Sequence, residues 1–139
     1  MLANVHSACV LNTDVVIAAL DRRDSHHRRA ARGLETMIEQ QTTLLLSLIN
    51  YAETLVRPAE NEQTLRIAID AIASFGVRLV APTPAIARDA ARHRTLNVSL
   101  ADGFAIATAQ AHQAALATFD RRVRRALTST GLELTHALT

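Results

Sequence analysis

Lysine is absent from this sequence. All 15 basic residues are arginines, and 13 acidic residues leave a formal net charge of only +2. The chain therefore has no catalytic amine, and its cations are planar guanidinium groups suited to phosphate or carboxylate. A net charge this small excludes a basic arm, so RNA or an acidic partner would have to bind through local arginine patches.

Aromatic residues and cysteine are scarce as well. Aromatics make up 3% of the chain and apolar residues 49%, so the core must consist mainly of Ala, Leu, Ile and Val. The single cysteine, Cys9, cannot form an internal disulfide and suits a reducing compartment, so we expect a cytoplasmic protein. No apolar run approaches the roughly 18 residues of a membrane span. The N-terminal residues lack the pattern of a secretion signal, and we expect no membrane association.

Apolar segments of strand and helix character alternate along the 139 residues, a length typical of one domain. The predicted strands are 8–12, 42–47, 77–82, 115–119 and 132–136. The predicted helices are 15–21, 26–41, 47–57, 61–74, 84–94, 99–113 and 120–129. This alternation predicts an α/β fold of three layers, with a central, mainly parallel sheet of four to five strands between helices. In such folds ligands bind at the carboxyl ends of the strands.

Polar residues occur at several of these strand ends. The stretch VLNTDVV interrupts an apolar strand with Asn12 and Asp14 where that strand should end. Asp120 follows another strand, Asp102 lies in the first turn of an apolar helix, and Glu53 is expected on or beside a buried helical stripe. These side chains should face one crevice. Clustered carboxylates repel one another unless a cation intervenes, and their hard oxygen atoms suit Mg²⁺ or Mn²⁺.

Each of these residues also has a purely structural interpretation. Asp120 and Asp14 could each cap the helix that follows. Ser99 and Asp102 have the spacing of a capping box, and Glu53 could be exposed to solvent. Taken one at a time, the residues leave both interpretations open. Their common position at the strand ends favours the functional one.

Four segments in order resemble the PIN-domain ribonucleases and, within them, the VapC toxins of bacterial toxin–antitoxin pairs. VLNTDVVIAALDRRDSHH is similar to the family's opening strand and helix, and NYAETLVRP to its second acidic motif, which carries Glu53. LSLADGFAIATA is similar to the third motif with Asp102, and LATFDRRVRRA to the fourth with Asp120 and Thr118. The resemblance runs nearly end to end and implies a PIN-like fold in a single domain over residues 1–139.

The resemblance implies a metal-dependent endoribonuclease that hydrolyses a phosphodiester of structured RNA, such as tRNA or rRNA. Mg²⁺, or alternatively Mn²⁺, would activate a water, orient the phosphodiester and stabilise the leaving oxygen. Thr118 and Asp14 would contact the metal-binding groups and would not bind the metal themselves. The family also implies a homodimer and a cognate VapB-like antitoxin that silences the toxin. The catalytic and metal-binding positions that the resemblance implies are Asn12, Glu53, Asp102 and Asp120.

Position 12 departs from the family pattern, because the family ordinarily has aspartate there. Asn12 offers one neutral oxygen and an NH₂ group that cannot bind a cation. A pair of unit charges 4 Å apart is worth roughly 4 kcal/mol at an effective dielectric of 20, so loss of one anion weakens a metal site severely. We therefore expect weak metal binding and low activity, unless Asp14 replaces the missing ligand.

Two arginine clusters are candidates for phosphate contact along RNA. The first, beside Asp120, comprises Arg121, Arg122, Arg124 and Arg125, and the second comprises Arg28, Arg29 and Arg32. Both could equally be solvated helix faces. No aromatic residues are interleaved with them, so RNA would have to be recognised through shape and backbone contacts.

Two alternative functions compete with the nuclease interpretation. NTDVV also resembles the opening motif of phosphatases of the haloacid dehalogenase kind, but that chemistry requires a lysine, which is absent. The other alternative is a non-catalytic PIN-like module that binds RNA or a protein partner through the arginine clusters. Asn12 keeps this alternative open, while Glu53, Asp102 and Asp120 favour a catalytic lineage.

Overall fold

A computed structural model describes residues 7–138 of the protein. Residues 1–6, most of the segment on which the secretion signal was assessed, lie outside the described part. The strands are Ala8–Leu11 (β1), Thr43–Ser47 (β2), Arg78–Val80 (β3) and Ala115–Ala117 (β4). The helices are Thr13–Leu20 (α1), His27–Glu39 (α2), Leu48–Leu55 (α3), Glu62–Ser74 (α4), Pro84–Arg92 (α5), Leu100–Ala111 (α6) and Arg121–Ala126 (α7). Short 3₁₀ turns cover Pro58–Glu60, His93–Leu96 and Leu127–Ser129.

The four strands form one parallel sheet in the order β3-β2-β1-β4. Parallel neighbours need a crossover, and each connection here carries at least one helix, as the alternating sequence pattern predicts. The predicted α/β class with a central parallel sheet is confirmed. The fifth strand predicted at 132–136 is wrong, because only Leu134 forms a bridge there, beside Leu116 of β4.

Helices pack on both faces of the sheet along β1, which gives the fold its three layers. Along β1 the side chains of Cys9 and Leu11 contribute to one apolar cluster, which includes residues of α1, α2 and α4. Val10, between them, belongs to a second cluster that includes residues of α6 and α7. Because successive strand residues point to opposite faces, this division explains why β1 is apolar at every position.

Helix α6 lies unusually close to helix α5. A Cβ atom on Gly103 would lie 2.6 Å from the carbonyl oxygen of Ala90, so only glycine permits this approach. Gly103 directly follows Asp102, and the close packing therefore helps to set where the first turn of α6 lies. Among the helices of the described residues, none combines the length and the apolar character needed to cross a membrane.

Candidate functional site

The carboxyl ends of β1 and β4 bring Asn12 and Thr118 side by side. Leu11 and Ala117 are register partners in the parallel pair, and the backbone N–H of Asn12 donates to the carbonyl oxygen of Ala117 at 3.0 Å. Both side chains are almost wholly buried, with 1% of Asn12 and 2% of Thr118 exposed. Since polar groups at this depth must be hydrogen-bonded, the partners of these two residues define the site.

The side-chain amide of Asn12 uses both of its N–H groups. Nδ2 donates to Oδ1 of Asp102 at 3.1 Å and to Oγ1 of Thr118 at 3.3 Å. Oδ1 of Asn12 accepts from Nδ2 of Asn50 at 3.4 Å. The polar group inside the apolar stretch VLNTDVV is therefore satisfied by residues from three other parts of the chain.

Asp102 serves the start of α6 and the site at the same time. Its Oδ2 accepts from the backbone N–H of Ser99, and its own backbone N–H donates to Oγ of Ser99, each at 3.1 Å. This is the capping box that the spacing of Ser99 and Asp102 predicts. The other carboxylate oxygen, Oδ1, remains available to accept from Asn12, so both interpretations of Asp102 hold together.

Asp14 holds the chain segment that follows β4. The hydroxyl of Thr118 donates to its two carboxylate oxygens at 3.1 and 3.2 Å, and the backbone N–H of Phe119 donates to Oδ2 at 2.6 Å. Burial raises the pKa of Asp14 above its ordinary value, and the charge of Asp120 adds to the rise, although the bonds from Phe119 and Thr118 oppose it. The alternative that Asp14 caps α1 is wrong, since the residue at that cap is Asn12, which makes no side-chain capping bond.

Asp120 is the N-cap of α7. Its Oδ1 accepts from the backbone N–H groups of Arg122 at 2.7 Å and Val123 at 3.3 Å, as its structural interpretation predicts. Its backbone N–H donates to Oγ1 of Thr118 at 3.1 Å. Asp120 is thus one hydrogen bond away from the hydroxyl that contacts Asn12 and Asp14.

The family model for the PIN domain matches residues 9–127, which include this whole group of contacts. This chain belongs to the PIN domain family. No curated protein matches the sequence significantly.

Solved structures share the PIN fold at low sequence identity. FitAcB from Neisseria gonorrhoeae is 21% identical with a TM-score of 0.69, covering 93% of this chain and 97% of that one. VapBC2 from Rickettsia felis, bound to a DNA fragment from its promoter, is 18% identical with a TM-score of 0.72 (91% and 96% covered). VapC20 from Mycobacterium tuberculosis, a toxin that cleaves the sarcin-ricin loop, is 18% identical with a TM-score of 0.68 (89% and 95% covered). These similarities establish the fold.

Glu53, the second acidic position of the PIN pattern, is exposed on α3. It lies beside the buried positions of α3, Asn50 and Thr54, and is not itself buried. Glu53 lies three residues after Asn50 in the sequence. Thr54 lies four residues after Asn50 and donates its hydroxyl to the Asn50 carbonyl at 2.8 Å. The hydrogen-bonded group around Asn12 does not include Glu53.

Asn50 is the site residue that the sequence analysis missed. Its Nδ2, which carries two hydrogens, shares them among three acceptors: Oγ1 of Thr13 at 3.0 Å, the carbonyl of Ala101 at 3.1 Å and Oδ1 of Asn12 at 3.4 Å. The residue is fully buried. Its Oδ1 has no hydrogen-bond partner within residues 7–138. One sequence feature could have identified Asn50: it is an amide residue in the mostly apolar start of α3, one turn before Glu53.

Exposed cations and two stacked rings lie next to Asp120. Arg121, Arg122 and Arg124 are exposed on α7, as expected of residues that could meet a phosphate backbone. The rings of His26 and Phe119 stack with centroids 4.3 Å apart and planes 8° apart. The guanidinium carbon of Arg29, from the second arginine cluster, lies 5.1 Å from the Phe119 centroid. Both clusters therefore reach the carboxyl end of β4.

The arrangement of this PIN domain does not fit a divalent ion as it stands. A metal needs oxygen ligands, yet Asn12 directs N–H groups toward Asp102 and Thr118. Between residues 7 and 138, no three His, Cys, Asp or Glu side chains come together as a possible metal centre. The Asp14 carboxylate is directed at the segment after β4 in this arrangement, where both its oxygens accept from Thr118 and one accepts from Phe119.

Proposed function

We propose that this chain is a VapC-type toxin, built as a single PIN domain over residues 1–139. Its activity would be hydrolysis of a phosphodiester in structured RNA such as tRNA or rRNA, and a cognate antitoxin would neutralise it. PIN domain proteins are generally nucleases. The solved relatives support the toxin assignment, since they include VapBC and FitAB proteins and a toxin that cleaves the sarcin-ricin loop.

One observation carries this proposal: Asn12 contacts both Asp102 and Thr118 at the carboxyl ends of β1 and β4. Parallel α/β folds place ligand sites at this edge of the sheet. Asp120, joined to Thr118 through a backbone hydrogen bond, adds a second carboxylate to the same edge. The catalytic assignment of Asn12, Glu53, Asp102 and Asp120 is part of the proposal.

In a PIN site of the family type, bound Mg²⁺ or Mn²⁺ supplies Lewis acidity and a water of lowered pKa. The residues of this chain have other tasks. Arg121, Arg122 and Arg124 contact the RNA backbone, and Thr118 fixes the direction of Asp14. Because Asn12 adds no negative charge, we expect this chain to bind metal weakly and to cleave slowly.

The proposed assembly is a cytoplasmic homodimer bound by a VapB-like antitoxin. Toxin–antitoxin complexes recur among the structural relatives, for example one from Klebsiella pneumoniae at 24% identity. Several large apolar side chains are exposed on this chain, including Val56 at 67%, Ile67 at 60% and Leu100 at 52%. We propose these three side chains as candidates for contact with a partner protein. Light scattering on the purified chain tests the dimer.

The test of the function is cleavage of total RNA by this chain and by its Asn12→Asp variant. Each is assayed with Mg²⁺, with Mn²⁺ and with EDTA. We expect cutting that EDTA abolishes in the variant, and much slower cutting in the unchanged chain. Asn12→Asp combined with Asp102→Ala is the matched control, and it should cut no faster than the unchanged chain.

Equal cutting by the unchanged chain and the Asn12→Asp variant would contradict the assignment of position 12 as a missing ligand. The absence of cutting by both, with the variant folded and free of antitoxin, would contradict the nuclease itself.

A second function, a non-catalytic PIN-like binding module, is favoured by the use of both Asn12 amide hydrogens within the protein. Under that alternative the arginine clusters still bind RNA, but no variant at position 12 cleaves it. Filter binding of RNA beside the cleavage assay separates the two, because binding without cutting in the Asn12→Asp variant supports only the module.

A further inference from the structure

The amide of Asn12 joins four segments that are distant in sequence. It lies at the end of β1 and contacts Asp102 at the start of α6, Thr118 after β4 and Asn50 on α3. A single buried side chain thus connects the end of β1 with α3, with the start of α6 and with the segment after β4. In a cluster of carboxylates, the group that usually makes such connections is a cation.

Hydrogen bonding fixes the orientation of this amide. Nδ2 of Asn50 donates to the carbonyl of Ala101, an oxygen that can only accept, so the NH₂ group of Asn50 faces Asn12. Oδ1 of Asn12 must therefore face Asn50, and its NH₂ must face Asp102 and Thr118. The reverse orientation would set oxygen against the Asp102 carboxylate and NH₂ against NH₂.

A carboxylate at position 12 could not make the same contacts. Ionised aspartate only accepts hydrogen bonds, so it would face the Asp102 carboxylate as a second anion with no donor between them. The protein would then need a proton or a cation to bring the two groups together, since buried like charges repel strongly. Asparagine removes that requirement because it supplies the donor itself.

We propose that the side-chain amide of Asn12 takes the position and the linking role of a cation in this chain. The site is consequently assembled without a divalent ion, and Asp102 is held by a hydrogen bond in place of a metal–oxygen bond. The inference concerns assembly of the site and does not depend on RNA cleavage, so it stands or fails separately from the proposed function.

The test is thermal unfolding of the full-length chain in EDTA and in Mg²⁺, for the unchanged chain and three variants. We expect the Tm of the unchanged chain to be the same in both solutions. Asn12→Asp should lower the Tm in EDTA by roughly 5–10 °C, the shift for a few kcal/mol in a domain of this size. Mg²⁺ should restore most of that loss, because a ligand that binds only the folded state stabilises it.

The sharpest comparison is the exchanged pair, Asn12→Asp combined with Asp102→Asn. Asparagine at position 102 can donate from its NH₂ to the new aspartate and accept from the backbone N–H of Ser99 with its oxygen. The exchanged pair should therefore regain most of the Tm lost by Asn12→Asp in EDTA and respond little to Mg²⁺. Asn12→Ala, which removes the donors without adding charge, should lower the Tm equally in both solutions.

Three results would overturn the inference. The first is a Tm of the unchanged chain that rises with Mg²⁺ as much as that of Asn12→Asp. The second is an Asn12→Asp chain that is as stable in EDTA as the unchanged chain. The third is an exchanged pair that is no more stable in EDTA than Asn12→Asp alone. If Asn12→Asp is unfolded in both solutions, the exchanged pair decides the question. An exchanged pair that is folded in EDTA then supports the inference.

Discussion

Nδ2 of Asn12 donates a hydrogen bond of 3.1 Å to Oδ1 of Asp102, a residue 90 positions further along the chain. The contact joins the end of the central strand β1 to the first turn of α6. It places a neutral donor against a carboxylate at the edge of the sheet where PIN domains are expected to act. The stability of this edge of the sheet and its chemistry both depend on the Asn12 amide as a hydrogen-bond donor.

The hydroxyl of Thr118 should stabilise the hydrogen-bonded residues around Asn12 more than its methyl group does. Thr118→Val leaves donors on Asn12 and Asp120 without their acceptor and should cost about 1–3 kcal/mol per buried group left unpaired. Thr118→Ser keeps the hydroxyl and should cost less. Urea midpoints at unchanged m-value measure both. Equal costs for the two variants would show that the methyl packing contributes as much as the hydrogen bonds and would contradict this prediction.

RNA binding should depend on the arginines of α7 through charge alone. Each of Arg121→Ala, Arg122→Ala and Arg124→Ala should weaken binding of single-stranded RNA and reduce the slope of log K against log salt by roughly 0.7 per lost phosphate contact. Arg78→Ala is the matched control, since Arg78 is exposed on β3 at the opposite edge of the sheet. A slope change at Arg78 as large as those on α7 would place the RNA elsewhere.

The thiol of Cys9 should be unreactive until the protein unfolds. Burial raises its pKa to about 12, against a weaker opposite effect of a hydrogen bond with Thr135. At pH 8 a disulfide reagent should therefore modify the folded chain far more slowly than the chain in denaturant. Rapid modification of the folded chain would contradict the buried position of β1.

The raised pKa of Cys9 also predicts a loss of stability at high pH. In the unfolded chain the thiol loses its proton near pH 8.5, while in the folded chain it keeps it up to about pH 12. The folded state therefore binds more protons between those values, and the free energy of unfolding falls as the pH rises through that range. The fall should be smaller in Cys9→Ala, and unfolding by urea at pH 8 and pH 10 measures the difference. An equal fall in both chains would assign it to other groups.

Gly103→Ala should destabilise the chain although alanine favours helices. Alanine gains about 1 kcal/mol in helix propensity over glycine, but its Cβ would lie 2.6 Å from the Ala90 carbonyl oxygen, which is backbone and cannot rotate away. The two helices must then separate, and the cost should exceed the gain. Chemical denaturation gives the sign directly. A more stable Gly103→Ala chain would mean that α5 and α6 separate freely.

The alternating apolar segments were sufficient to predict the parallel sheet. Strands β1, β2 and β4 are largely buried, so their apolar runs carry a strong signal. The segment 132–136, LELTH, alternates apolar and polar residues, yet only Leu134 pairs, because this segment lies at the edge beyond the three-residue strand β4. The composition of an edge segment does not predict how many of its residues pair with the neighbouring strand.

Of the polar residues predicted to converge at the strand ends, Asn12, Asp14, Asp102 and Asp120 lie in one group of hydrogen-bonded residues. Glu53 is exposed outside that group, and Asn50 was overlooked. One turn of α3 carries both residues, and a helical pattern cannot tell which side of that turn faces the sheet when polar residues occur on both. Packing of α3 against β2 and α6 decided it.

The sequence by itself determined that this protein has a parallel sheet and places polar side chains, among them the amide of Asn12, at the carboxyl ends of the strands. Those features follow from local periodicity and residue identity. Only the tertiary structure decided that the Asn12 amide faces Asp102, Thr118 and Asn50 together. Hydrogen-bond partners 38, 90 and 106 residues away are brought within reach by strand register and helix packing, which no local pattern encodes.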